Sequence, residues 1–196
     1  MALLRCGLPF RVQRASSWEA DSAQAELLRA NPLGQIPTLV SPEGQVLTES
    51  AAILIHLGLV VPGAGLLPSD AAARGRALCA LVYIAANCYA AIGIIDYPQR
   101  FLSGGDEAMG DALRAGTRAR LHHCWDLFAD QFANEPWLGG EEPGAVDLLA
   151  AVVTRWAGAR QHLAVSRPAL LATLQRVQAH PLLAPVFARH WPDAAP

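Results

Sequence analysis

Phe10-Arg11-Val12-Gln13-Arg14 alternates apolar and polar positions with period two, the spacing of a half-buried strand. A helix is predicted over 22–30, where Ser22 or Asp21 can cap the free amides, and Asn31-Pro32-Leu33-Gly34 ends it. Two short apolar runs, 36–40 and 45–47, flank Ser41-Pro42-Glu43-Gly44. Pro presets φ there and Gly supplies an unusual one, so the pair is predicted to form a hairpin. A further helix runs from Glu49 to about Val60, with Ile53, Leu54, Leu57 and Val61 along one side. From Asp70 onward the pattern becomes long helical stretches, predicted at 70–94, 111–133, 145–158, 168–179 and 182–191. The second of these is plainly amphipathic, because Leu121, Cys124, Trp125, Phe128 and Phe132 recur at helical spacing and form a core stripe. The pattern therefore divides the chain into a mixed part at 1–61, an exposed connection rich in Pro and Gly at 62–69, and an all-helical part at 70–196.

Composition narrows the class. With 196 residues, 53% of them hydrophobic, the chain can bury one sizeable core or two small ones. Fifteen basic residues, all Arg, face seventeen acidic ones without any run of like charge, which argues against a nucleic-acid partner. Cys6, Cys79, Cys88 and Cys124 are widely spaced and suit a reducing, cytoplasmic setting better than a disulfide scaffold. The first eighteen residues carry Arg5, Arg11 and Arg14 without an acid, as a transit peptide does, but the strand-like alternation is the preferred reading. The stretch 77–95 is long enough to span a membrane. Its Ala content and its Tyr83, Asn87 and Tyr89 instead mark the central helix of a soluble helical domain, so no membrane association is expected.

Chemistry concentrates between residues 31 and 54. Pro37 stands at the start of a predicted strand, where it removes a ladder donor. A cis Ile36–Pro37 bond would turn the N–H and C=O of Ile36 outward, free to pair with an extended peptide. Glu49-Ser50 opens a helix whose free amides and positive dipole end attract a carboxylate. The Ser50 hydroxyl adds a donor and Glu49 can hold an ammonium. Together these groups suit a zwitterionic head at one point and a peptide main chain at another.

On Asn31-Pro-Leu-Gly-Gln-Ile-Pro-Thr-Leu-Val40 and Leu47-Thr-Glu-Ser-Ala-Ala-Ile-Leu54 the chain resembles the glutathione transferase superfamily. Leu66-Leu67-Pro68 and Trp137-Leu-Gly-Gly140 with Gly144-Ala-Val-Asp147 extend the resemblance over essentially the whole sequence. It implies an α/β plus all-α fold: a thioredoxin-like N-terminal domain followed by a helical bundle. It also implies glutathione as co-substrate, held by Gln35, Ile36, Glu49 and Ser50, with a cytoplasmic homodimer and a small hydrophobic electrophile as second partner. On the same resemblance Met1 falls near the end of the family's first helix. The first strand and the loop bearing the catalytic Tyr, Ser or Cys are thus expected to be missing, and the catalytic residue cannot be named. The expected activity is conjugation, isomerisation or reduction with the glutathione thiol. The alternative is a non-catalytic binding or scaffold protein of the same fold.

Other residues carry less. Cys6 has only Arg5 nearby to lower its pKa. His122-His123-Cys124 are adjacent on a helix and diverge by about 100° each, so no metal is expected. Asp147 can serve as half of a capping box whose usual hydroxyl partner is replaced by Gly144. By period Tyr83 and Asn87 share a face; with Tyr89 they either touch substrate or pack within the bundle.

Overall fold

The structure is a computed structural model and describes residues 1–15 and 22–192. It begins with a short helix, α1 (Ala2–Arg5), followed by α2 (Gln24–Ala30), β1 (Leu39–Val40), β2 (Val46–Leu47) and α3 (Ser50–Val60). The strands pair antiparallel with Leu39 opposite Leu47 and Val40 opposite Val46, closed by a turn in which Gly44 takes φ +84°. Helix α3 buries Ala51, Ile53, Leu54, Leu57 and Gly58; of the predicted side, Ile53, Leu54 and Leu57 are buried, while Val61 follows the last helical residue and is half-buried.

A single-turn 3₁₀ segment at Pro62–Ala64 leads into α4 (Ala71–Tyr83), whose N-cap Asp70 accepts the Ala73 amide at 2.8 Å. The helix continues through a π turn at Ile84–Tyr89 into α5 (Ala90–Asp96). Together they form one apolar rod, 71–96, long enough by length and composition to cross a membrane. Here Ala80, Leu81, Ile84 and Cys88 are instead buried in the core. Helix α6 (Glu107–Phe132) packs along α5 and lays Leu121, Cys124, Trp125 and Phe128 into the same core. Then come α7 (Ala145–Val153), buried along nearly all its length, α8 (Ala159–Ser166), α9 (Pro168–Ala179) and α10 (Ala184–His190).

Several expectations are corrected. Residues 10–14 form no strand, and Phe10 and Val12 are 44% and 62% exposed. A strand exists only through a partner's ladder, and the sheet among the described residues consists of β1 and β2 alone. Helix α2 starts after Ala23 with no side-chain cap, so Ser22 does not act as N-cap; Asp21 lies outside the described residues. Helix α6 begins four residues earlier than predicted because Asp106 caps it, accepting the Met109 amide at 2.9 Å after Gly104 and Gly105 turn the chain with positive φ. The predicted helix 145–158 ends at Val153, since Ala157 and Gly158 both adopt left-handed φ and reset the direction for α8. The connection 62–69 is not wholly exposed: Leu66 and Leu67 are buried, and the Leu66 carbonyl accepts the Ala145 amide at 2.8 Å.

Candidate functional site

Asn31 organises the loop between α2 and β1. It is 4% exposed, and its Nδ2 donates to the Gln35 carbonyl at 3.0 Å and to Thr38 Oγ1 at 3.3 Å. Its Oδ1 accepts the Leu33 amide, and the Thr38 hydroxyl donates to the same Gln35 carbonyl at 2.9 Å. The Gln35 carbonyl is thus fixed from two sides by a network whose buried member is Asn31. Sequence reasoning used Asn31 only as a helix terminator. Its signal was an Asn followed by Pro and Gly, which tells of a turn but not of a side chain folded inward.

Beyond that fixed carbonyl the Ile36–Pro37 peptide is cis. Ile36 is 57% exposed, and its N–H and C=O have no hydrogen-bond partner among the described residues. An unpaired donor and acceptor on one residue are what an added peptide strand needs. Gln35 is exposed beside it.

Glu49 and Ser50 reach the same end of the hairpin. The antiparallel register pairs Leu39 with Leu47. Residues 36–37, before β1, and residues 49–50, after β2, therefore lie toward the same end of the hairpin. Glu49 is the N-cap of α3 with φ +64° and ψ +116°, a backbone conformation that costs a side-chain-bearing residue free energy and is held by its surroundings. Its carboxylate caps nothing, and neither it nor the Ser50 hydroxyl makes a hydrogen bond among the described residues. The first amides of an eleven-residue helix therefore open outward beside a free hydroxyl and a free carboxylate.

Across from Glu49 stands Tyr89, at the end of the π turn. Burial raises its phenol pKa first, and the charges of Glu49 and Asp96 raise it further, so it stays a proton donor at neutral pH. It is 38% exposed and lies 6.3 Å, ring to ring, from Trp156. Tyr83 and Asn87 do not share this outlook. The Tyr83 hydroxyl donates to the Cys124 carbonyl at 3.0 Å, its ring packs on Phe128 and Phe132, and burial pushes its pKa up to about 12. Asn87 Nδ2 turns back to the Tyr83 carbonyl. Packing within the bundle accounts for both.

The remaining polar residues have structural work. Burial pushes the Cys6 thiol up, with Arg5 opposing only in part, so it is not an activated thiolate. His122 Nε2 meets the Ala157 carbonyl at 3.0 Å while its ring stacks on His162 at 4.5 Å. Among the described residues no group of three or more His, Cys, Asp or Glu converges as a metal site. Asp147 accepts the Leu138 amide at 2.8 Å and the Gly144 amide at 3.0 Å, tying the preceding loop to the start of α7. Burial outweighs those amides and raises its pKa to about 6. A cleft of about 460 Å³ lies among Pro98, Leu102, Gly105, Asp106, Gly110 and Arg114, away from Gln35, Ile36, Glu49 and Ser50, which form an open surface instead.

Comparison with known proteins bears on the family and the fold. Residues 1–58 match the family model described as the glutathione S-transferase N-terminal domain. An uncharacterised GST-like protein of Escherichia coli K12, YncG, is 27% identical over 157 residues, covering 80% of this chain and 74% of that protein. Glutathione S-transferase 1 of Dianthus caryophyllus is 30% identical over 161 residues, covering 77% of this chain and 67% of that protein. Among solved structures, a glutathione transferase homologue from Sulfitobacter with bound glutathione superposes with a TM-score of 0.83 at 23% identity, over 96% of this chain and 90% of that one. The likeness in structure fixes the fold: a thioredoxin-like N-terminal part followed by an all-helical part.

Proposed function

Because this chain belongs to the glutathione transferase superfamily, we propose that it binds glutathione at the loop around Pro37 and the start of α3, and uses the thiol on a small apolar electrophile. The observation that carries the reading is the pair of unsatisfied Ile36 main-chain groups at the end of the hairpin where the free Ser50 hydroxyl and the first α3 amides also open. In this reading the cysteinyl main chain of glutathione pairs with Ile36 as an added strand. The γ-glutamyl carboxylate sits on the α3 amides and Ser50, its ammonium on Glu49, and Gln35 contacts the tripeptide from the loop. The glutathione co-crystallised with the Sulfitobacter homologue supports the ligand class. The electrophile lies on the side of Tyr89, whose phenol can donate to it. A cytoplasmic homodimer is part of the proposal.

A second reading is a non-catalytic binding or scaffold protein of the same fold. The raised pKa of Cys6 favours it, since that thiol stays protonated at neutral pH and cannot serve as the reacting group.

The test is calorimetric titration of glutathione into the whole chain, beside conjugation of a generic aryl halide. Binding with turnover supports the first reading, and binding without turnover the second. No binding removes the ligand from both.

A further inference from the structure

Arg155 follows α7, and Arg160 lies in the first turn of α8. Arg155 Nη2 at 2.6 Å and Arg160 Nη1 at 2.9 Å donate to one and the same oxygen, Gln178 Oε1. That oxygen is a neutral amide acceptor with two lone pairs, and the two bonds fill them. Arg160 directs its other donors to the Ala151 carbonyl at 3.0 Å and to Thr154 Oγ1 at 3.4 Å, at the C-terminal end of α7, where a cation is favourable. Arg155 has no such outlet. Its Nη2 alone is hydrogen-bonded among the described residues, and its Nε is sealed from solvent without a partner.

Among the described residues no carboxylate stands within ion-pair distance of either guanidinium, although Arg5, Arg114 and Arg167 all have one. Two partly buried positive charges therefore share a single uncharged acceptor, the reverse of the pairing that removal from water demands. Burial, and then the charge of Arg155, bring the pKa of Arg160 down to about 10. The flank of this cationic pair is aromatic. The Arg155 guanidinium lies 5.0 Å from the Trp191 ring centre and 5.6 Å from that of Phe187. Trp191 meets Trp156 edge to face at 6.4 Å, and Trp156 is partly open to solvent.

We propose that Arg155 and Arg160 form a binding site for the carboxylate of a small aromatic acid, whose ring lies along Trp191 and Trp156. The planar carboxylate matches the Nη1–Nη2 edge of Arg155, whose Nη1 and second Nη2 hydrogen have no partner among the described residues, and supplies negative charge where the described residues offer none. Indole faces supply apolar contact for the ring. Helix capping by Arg160 explains one arginine of the pair, and contact with Gln178, Phe187 and Trp191 holds the other in place but gives its charge no counter-charge among the described residues. The site shares no residue with Gln35, Ile36, Glu49 and Ser50, so it is tested apart from glutathione binding, although Trp156 adjoins Tyr89 on the side proposed for the electrophile.

The test is tryptophan fluorescence of the whole chain titrated with sodium benzoate, sodium acetate and inorganic phosphate at constant ionic strength. Benzoate is expected to give a saturable change, with acetate and phosphate each weaker by about tenfold or more. Arg155→Gln is expected to lower benzoate affinity by about tenfold while glutathione binding is unchanged. Arg155→Lys, which retains the charge and the packing stem, guards against a folding defect and is expected to weaken benzoate as well, because a point charge cannot make the fork. Absence of a saturable response, equal affinity for acetate and benzoate, or equal responses in wild type and both variants would each overturn the proposal.

Discussion

The buried Asn31 side chain holds the carbonyl of Gln35 at 3.0 Å, one residue before the cis Ile36–Pro37 peptide. The main-chain groups of Ile36 are presented from a fixed anchor, so the loop is shaped before any ligand arrives. Asn31→Ala is expected to leave the Thr38 hydroxyl and the Leu33 amide short of partners, and to cost about 1–3 kcal/mol of stability. In the proposed function it also weakens glutathione, although Asn31 touches none of it. Urea unfolding and calorimetric titration of the same variant check the two effects.

Glu49 sets stability against binding. Its φ of +64° is a conformation that glycine adopts without penalty, and its carboxylate makes no hydrogen bond that would be lost. Glu49→Gly is therefore expected to raise stability by about 1 kcal/mol. In the proposed function the same change removes the partner of the ligand's ammonium and lowers glutathione affinity. Loss of stability in urea unfolding would mean that the carboxylate supports the fold, contrary to its geometry here.

Ser50→Ala is expected to leave the urea midpoint almost unchanged, since the hydroxyl has no hydrogen-bond partner among the described residues. If it binds the γ-glutamyl carboxylate, its removal weakens glutathione by about tenfold, the worth of one hydrogen bond to a charged group. Equal affinity in wild type and variant would take Ser50 out of the site.

At the start of α7 a hydroxyl-bearing cap is crowded. A Cβ on Gly144 would stand 3.0 Å from the Leu66 carbonyl, the same oxygen that accepts the Ala145 amide. Gly144→Ser thus completes a capping box on paper, yet it is expected to destabilise by about 1–3 kcal/mol through crowding. A higher melting temperature for this variant would contradict the geometry.

Asp147 gives a pH dependence of definite sign. Its carboxyl titrates near 3.8 when unperturbed and at about 6 in the fold, so the native state holds the proton more tightly. Its contribution is therefore greatest at acid pH and declines as pH rises from about 4 to about 6, by on the order of 3 kcal/mol. Asp126 and Asp130, whose pKa values are lowered, act in the opposite direction and lose their contribution as pH falls. The quantity to follow is thus the stability difference between wild type and Asp147→Asn, by urea unfolding from pH 4 to pH 7. That difference should shift against the wild type as pH rises.

What the sequence revealed depended on how local each signal was. The α6 stripe Leu121, Cys124, Trp125 and Phe128 follows from helical period alone and is the core that was expected. The hairpin turn and the start of α3 are written in Pro42, Gly44 and Glu49-Ser50. Residues 10–14 carry an equally clear strand pattern, but pairing is decided elsewhere in the chain and no ladder forms there. The Ala157-Gly158 reversal was hidden because alanine rarely takes φ near +57°. In the candidate site, Gln35, Ile36, Glu49 and Ser50 were legible as a motif. Asn31 was not, because its contribution is a buried hydrogen-bond network that no spacing encodes. Nor was the shared use of Gln178 by two arginines from another helix and its preceding turn.

The central claim is that glutathione meets the main chain of Ile36 and the opening of α3. Backbone amide NMR of the whole chain, titrated with glutathione, tests it directly. The account predicts saturable shifts centred on the amides of Ile36, Ser50 and Ala51, with one common affinity. Absence of saturable binding, or saturation with those three amides unmoved, would contradict it.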